Sequence, residues 1–267
     1  MIGGKGLLDA KQLDLDDKES AYRLGAAVWL DYRRSALEGR AEILSHLEGI
    51  ALDLPVFVQK PPSNDQLVAA PIDTVAVWDT VGSLGIPTYN ARFMRIDVYQ
   101  FANSKLGPTV QCGLHAIAAD ERRDDFIPTL WDSDARITQV LFPGAHSDVG
   151  GGYRAAGNES GLSDCALKWM MGELAKRGVR FSTAPVFAPE PDPKGVAHQP
   201  WVHAPWDLLP RADRSFPGGL SLSQCVLGRL NGGMVCCDPG AAGIPYGPTN
   251  LRTYVAGTAA AAGVDVV

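Results

Sequence analysis

Two short apolar runs constrain this chain more than any other feature, because each ends on a residue capable of acid–base chemistry. "IDTVAVWD", Ile72 to Asp79, is rich in β-branched residues and bounded by turn formers, the composition of a buried strand. "ARITQVLFPG" is a second such run that ends near Phe142, and "AHSDVGGGY" then presents His146, Ser147 and Asp148 before three glycines. Helical patterns alternate with these runs. "DDKESAYRLGAAVWLDYRRSALEGRAEILSHLEG" places acidic residues first and basic residues later, as the helix dipole prefers. "GLSDCALKWMMGELAKRG" is the clearest helix, with Ser163 as its N-cap, Asp164 in its first turn and Gly178 at its end. Strand alternating with helix is the pattern of an α/β protein with a largely parallel sheet. Such sheets bind ligands beyond the carboxyl ends of their strands, so Asp79 and His146 are expected to project into one crevice.

Other segments carry weaker expectations. Leu54 to Val58 reads as a short strand, Lys60 to Asp65 as a loop, and Gly82, Gly85 and Pro87 mark another loop. Leu114 to Arg123 reads as a helical turn or two. Ala184 to Gly247 is Pro-, Gly- and Trp-rich, and is expected to form long ordered loops packed around the sheet. The organisation expected is one domain over residues 1–255 with a frayed tail over 256–267.

Composition excludes several functions. Hydrophobic residues at 46% and charged residues at 20% suit a globular chain with a core. A net charge of −6 leaves no phosphate-neutralising excess, which argues against nucleic acid as a partner. The cysteines Cys112, Cys165, Cys225, Cys236 and Cys237 are odd in number and form no CxxC pair, so reduced, mostly buried thiols are expected rather than zinc or disulfides. No run reaches the roughly 18 apolar residues of a transmembrane segment. "MIGGKGLLDA" lacks the pattern of a signal peptide, which implies a cytoplasmic protein or one exported without a cleavable signal.

An Asp at a strand end can fix the tautomer of an imidazole and stabilise the imidazolium. Asp79 could equally make an Asx turn or cap a helix near Val81. A histidine has the chemistry of a general base, so His146 could serve as one, or it is a strand-end histidine satisfied by backbone groups. A third reading pairs His146 with Asp148 as metal ligands, but no further His or Cys cluster completes a site, and no cofactor is implied. Acid before histidine suits the order Ser, acid, His, with the serine upstream in a G-x-S-x-G elbow. The upstream serines Ser20, Ser35, Ser45 and Ser63 lack the flanking glycines, as do "GLSDC" around Ser163 and "GLSLS" around Ser221 in full.

"VAVWDTVGSLGIP", "LHAIAADERRDDFIPTLW", "VLFPGAHSDVGGGY" and "GLSDCALKWM" occur in this order. Together they resemble the signature blocks of an α/β-hydrolase family best known for type VI secretion phospholipase effectors of the first lipase class. The resemblance runs from Met1 to about Leu251. It implies an α/β-hydrolase-like fold with Asp79 as triad acid and His146 as triad base. Thr80, and after the histidine Ser147, Asp148, Gly150 and Gly151, would form the supporting loops. In that family a "GFSRGA" elbow shortly precedes a segment like "GMIGGKGLL". The resemblance therefore implies a chain lacking the first core strands and the serine. Ala76 departs from a frequent Gly, and "LSQCVLGRL" from a His-bearing "HPSV" block.

Two readings follow. One is the C-terminal part of a lipase- or phospholipase-type ester hydrolase, acting on a phospholipid or other ester and inactive alone. The other is a non-enzymatic remnant or split half that needs a complementing N-terminal chain. A weaker reading makes Ser163 the nucleophile of a complete enzyme.

Overall fold

The structure is a computed structural model that describes residues 2–14, 16–36, 62–81, 88–89, 95–96, 104–259 and 266–267. The expected strand at Leu54 to Val58, residues 60–61 of the adjoining loop and the loop at 82–87 lie outside the described residues. The chain divides into two compact units, residues 1–75 with 82–112 and residues 76–81 with 113–267.

The first unit contains α1, Lys18–Ala36. Its start agrees with its sequence, because the Asp17 carboxylate accepts the Ser20 N–H at 3.0 Å and Glu19 lies in the first turn. Arg33 and Arg34 end it, as the dipole favours. The expected continuation to residue 49 lies outside the described residues. Ala27, Val28 and Leu30 are buried on one face. Leu7–Leu8 pairs antiparallel with Leu67–Val68.

The second unit holds the sheet. Its strands are β1 (Thr74–Trp78, of which 76–78 belong to this unit), β2 (Cys112–Ala118, of which 113–118 belong to it), β3 (Ile137–Phe142) and β4 (Ser221–Leu222). They lie in the order β1-β2-β3-β4, all parallel. Gly113 to Ala118 pair with Ile137 to Phe142 in register. The two runs expected to be strands are β1 and β3.

Leu114 to Arg123 is not helical as expected. Residues 114–118 belong to β2, every residue of which is buried. A strand covered on both faces loses the alternation that marks half-buried strands. Flanking both sides of β2 with parallel partners then decides the backbone.

The short helix α2, His146–Gly150, follows β3, and α3 spans Gly161–Lys176. The N-cap position of α3 is Ser160 rather than Ser163, and the Ser163 hydroxyl donates back to the Ser160 carbonyl at 2.8 Å. Gly178 takes φ +86° beyond the last turn, with Val179 N–H reaching Leu174 O at 3.1 Å, the left-handed stop that glycine favours. Met170 and Leu162 are fully buried, and Trp169 packs against Phe142 of β3.

Residues 184–247 include the loops expected, but they also supply β4 and α4, Gln224–Leu230. The helix α5, Thr249–Ala259, follows. Its Leu251 and Tyr254 join Ile117, Leu141, Leu222 and Val226 in one apolar cluster on the sheet. Val267 N–H donates to Leu222 O at 3.0 Å. Among the described residues all five cysteines are free thiols, three of them buried. No helix among them is long and apolar enough to cross a membrane.

Candidate functional site

Asp79 is the first residue after β1, and its backbone has φ +36°. Left-handed backbone is costly for most side chains but tolerated by Asp, and such residues cluster at functional sites. The turn leaves the carboxylate completely buried at the ends of β1 and β2. Oδ1 accepts the Ala118 N–H at 2.8 Å and Oδ2 meets His146 Nδ1 at 2.7 Å. The guanidinium of Arg214 completes the set, with Nη1 on Oδ1 at 2.6 Å and Nη2 on Oδ2 at 3.0 Å. Burial alone would raise the Asp79 pKa. The Arg214 charge and the hydrogen bonds from His146 and Arg214 outweigh it and hold the group at about 2. An ionised carboxylate only accepts, so Nδ1 of His146 carries the proton and Nε2 is the free lone pair.

His146 opens α2, four residues beyond the end of β3 rather than directly at its tip. Its N–H donates to Glu121 Oε2 at 3.1 Å. Glu121 is itself buried and held by Arg123, whose Nη2 lies 2.8 Å from Oε2. The Phe126 ring meets the imidazole edge-on at 5.2 Å. The imidazole is 30% exposed, and Nε2 has no hydrogen-bond partner among the described residues. One nitrogen is fixed by an acid and the other is open, which is the arrangement a general base requires.

A second pair has the same spacing. His198 Nδ1 lies 2.7 Å from Asp148 Oδ1. The difference is access, since His198 is buried, its ring stacks on Tyr153 at 3.4 Å, and Nε2 faces Glu159 at 3.5 Å. Burial would lower the His198 pKa, but hydrogen bonds and charge from Asp148 and Glu159 outweigh it and raise the pKa. His198 thus anchors, while His146 is open. The Asp148 oxygens also accept the Ala145 and His198 N–H groups at 2.9 Å each. Asp148 therefore braces α2. Among the described residues no group of three or more His, Cys, Asp or Glu side chains is placed to hold a metal ion.

The remaining expected residues have structural places. Thr80 N–H donates to Nε2 of buried His115 at 3.3 Å, and desolvation lowers that imidazole's pKa to about 4, so it accepts as the neutral form. Ser147 O accepts the Gly151 N–H at 3.0 Å, closing α2. Gly151 has φ +88°, while Gly150 is exposed with open space around it. The buried Ser163 hydroxyl is given to Ser160 and is not hydrogen-bonded to His146.

Reading the sequence residue by residue missed Arg214, Glu121, Phe126 and His198. Glu121 and Phe126 lie in "ADERRDDF", where the Glu and Arg two apart form a visible ion-pair signal. Arg214 and His198 lie in aperiodic segments, and only the fold brings them to the site.

No curated protein and no solved structure matches this sequence. Residues 1–173, which include Asp79, Glu121 and His146, match the family model described as the catalytic domain of type VI secretion system Tle1-like phospholipase effectors. With most of its length covered by that match, the chain belongs to the Tle1-like family of type VI secretion phospholipase effector catalytic domains.

Proposed function

We propose that Asp79 and His146 are the acid and base of a serine-type ester hydrolase acting on phospholipid or a related carboxylic ester. The observation that carries this reading is the buried carboxylate on Nδ1 of an imidazole whose Nε2 is open. In the reaction a serine hydroxyl attacks the acyl carbonyl and passes its proton to His146 Nε2. Asp79 stabilises the imidazolium, which then returns the proton to the leaving alcohol. Water repeats the cycle on the acyl-enzyme.

The serine in this reading comes from polypeptide outside this sequence, because no G-x-S-x-G occurs in it. Residues 1–255 then act as the rest of one catalytic domain, supported by a family match that runs through both compact units. Export by the type VI route agrees with the family.

The test is fatty-acid release from phospholipid vesicles by this chain co-expressed with a family elbow segment carrying G-x-S-x-G. Turnover is expected, and Asp79→Asn or His146→Gln should lower it on the order of 10⁴-fold. Turnover indifferent to both substitutions would contradict the reading.

A further inference from the structure

Arg214 lies beyond the family match, in "RADRSFPGG", yet its guanidinium is buried behind the acid. Besides the two bonds to Asp79, Nη1 donates to the Ala118 carbonyl at 2.6 Å and Nη2 donates to the Phe126 carbonyl. Among the described residues Nε has no hydrogen-bond partner, so the two terminal nitrogens make all the hydrogen bonds of the guanidinium. Ala118 ends β2, and Phe126 places its ring against His146. One rigid fork therefore joins the acid, the end of the neighbouring strand and the aromatic wall of the imidazole.

The geometry has a consequence for direction. A carboxylate held by one imidazole can rotate about its Cβ–Cγ bond. Two parallel N–H bonds from a planar guanidinium fix its plane. With Ala118 N–H also on Oδ1, the remaining lone pair of Oδ2 is aimed at His146 Nδ1. Lysine would supply charge but not that fork.

We propose that Arg214 is a positioning residue, a guanidinium clamp that locks the Asp79 carboxylate plane and so fixes the His146 tautomer and orientation. Arg214 touches neither substrate nor nucleophile. The proposal rests on the reading of Asp79 and His146 as acid and base, but its test needs no turnover.

The test is proton NMR of the ¹⁵N-labelled full chain, following the deshielded His146 Nδ1–H resonance, assigned by its loss in His146→Gln. In Arg214→Met that resonance should move upfield and exchange with water about tenfold faster, the scale of one lost hydrogen bond. Arg214→Lys should fall between, with circular dichroism unchanged. A resonance and exchange rate equal to wild type in folded Arg214→Met would overturn the proposal. Should the Met variant not fold, Arg214→Lys decides, and wild-type exchange in it overturns the proposal equally. Failure of the catalytic reading is separate, because it shows as turnover unaffected by His146→Gln while the NMR result stands.

Discussion

Asp79, fully buried, and Asp120, half-buried, are carboxylates near the ends of adjacent strands, and their partners set them apart. Asp79 has a guanidinium fork and is held at about 2. Asp120 has only hydrogen bonds at close range, from Gly144 N–H at 2.7 Å and the Tyr246 hydroxyl at 2.9 Å. Desolvation therefore dominates, those bonds offset it only in part, and its pKa rises to about 6. Asp120 thus binds its proton more tightly folded than unfolded. The stability this contributes is complete below about 4 and is lost as pH climbs through about 6. Asp120→Asn keeps an acceptor for Gly144 and removes the titration. Thermal midpoints should then show the variant gaining on wild type between pH 4.5 and 7.5. A difference that stays constant across that range would refute the assignment.

The element that presents His146 is a five-residue helix too short to be stable alone. It is held by side chains from outside, with Asp148 bonded to Ala145 and His198, and Glu121 bonded to His146 N–H. Its entry needs Gly144, which has φ +105° and where a Cβ would lie 2.4 Å from Asp148 Cβ. Gly144→Ala is expected to cost about 1–3 kcal/mol in chemical denaturation, and a neutral result would show that the turn can relax. His198→Ala should speed hydrogen exchange at Ala145 and Val149 while leaving α3 protected. In wild type the same exchange should quicken as pH rises past the ordinary histidine range, because the raised His198 pKa makes the tie strongest while protonated. Exchange confined to its wild-type rate would remove the brace from the account. The elements differ in how far the sequence discloses them. β1, β3 and α3 announce themselves through β-branched runs, turn formers and a terminal glycine. β2 does not, because burial on both faces erases its period.

Across the whole molecule, the candidate site joins a family-matched segment to residues outside the match. Asp79, Glu121 and His146 come from residues 1–173, whereas His198 and Arg214 come from loops without periodicity. Asp79 and His146, the proposed acid and base, are legible because each follows a strand run, and parallel topology places strand ends together. The clamp and the brace were not, since a lone Arg or His in a Pro-rich loop signals nothing until packing assigns its neighbours. In the proposed function Asp79 and His146 are an acid–base pair whose nucleophile lies outside this sequence. Its most direct test is intact-mass analysis of the purified, folded chain after treatment with a fluorophosphonate, beside an active serine hydrolase as control. The account predicts no adduct on this chain. An adduct on a single serine, lost in His146→Gln, would contradict it and place the nucleophile within these 267 residues.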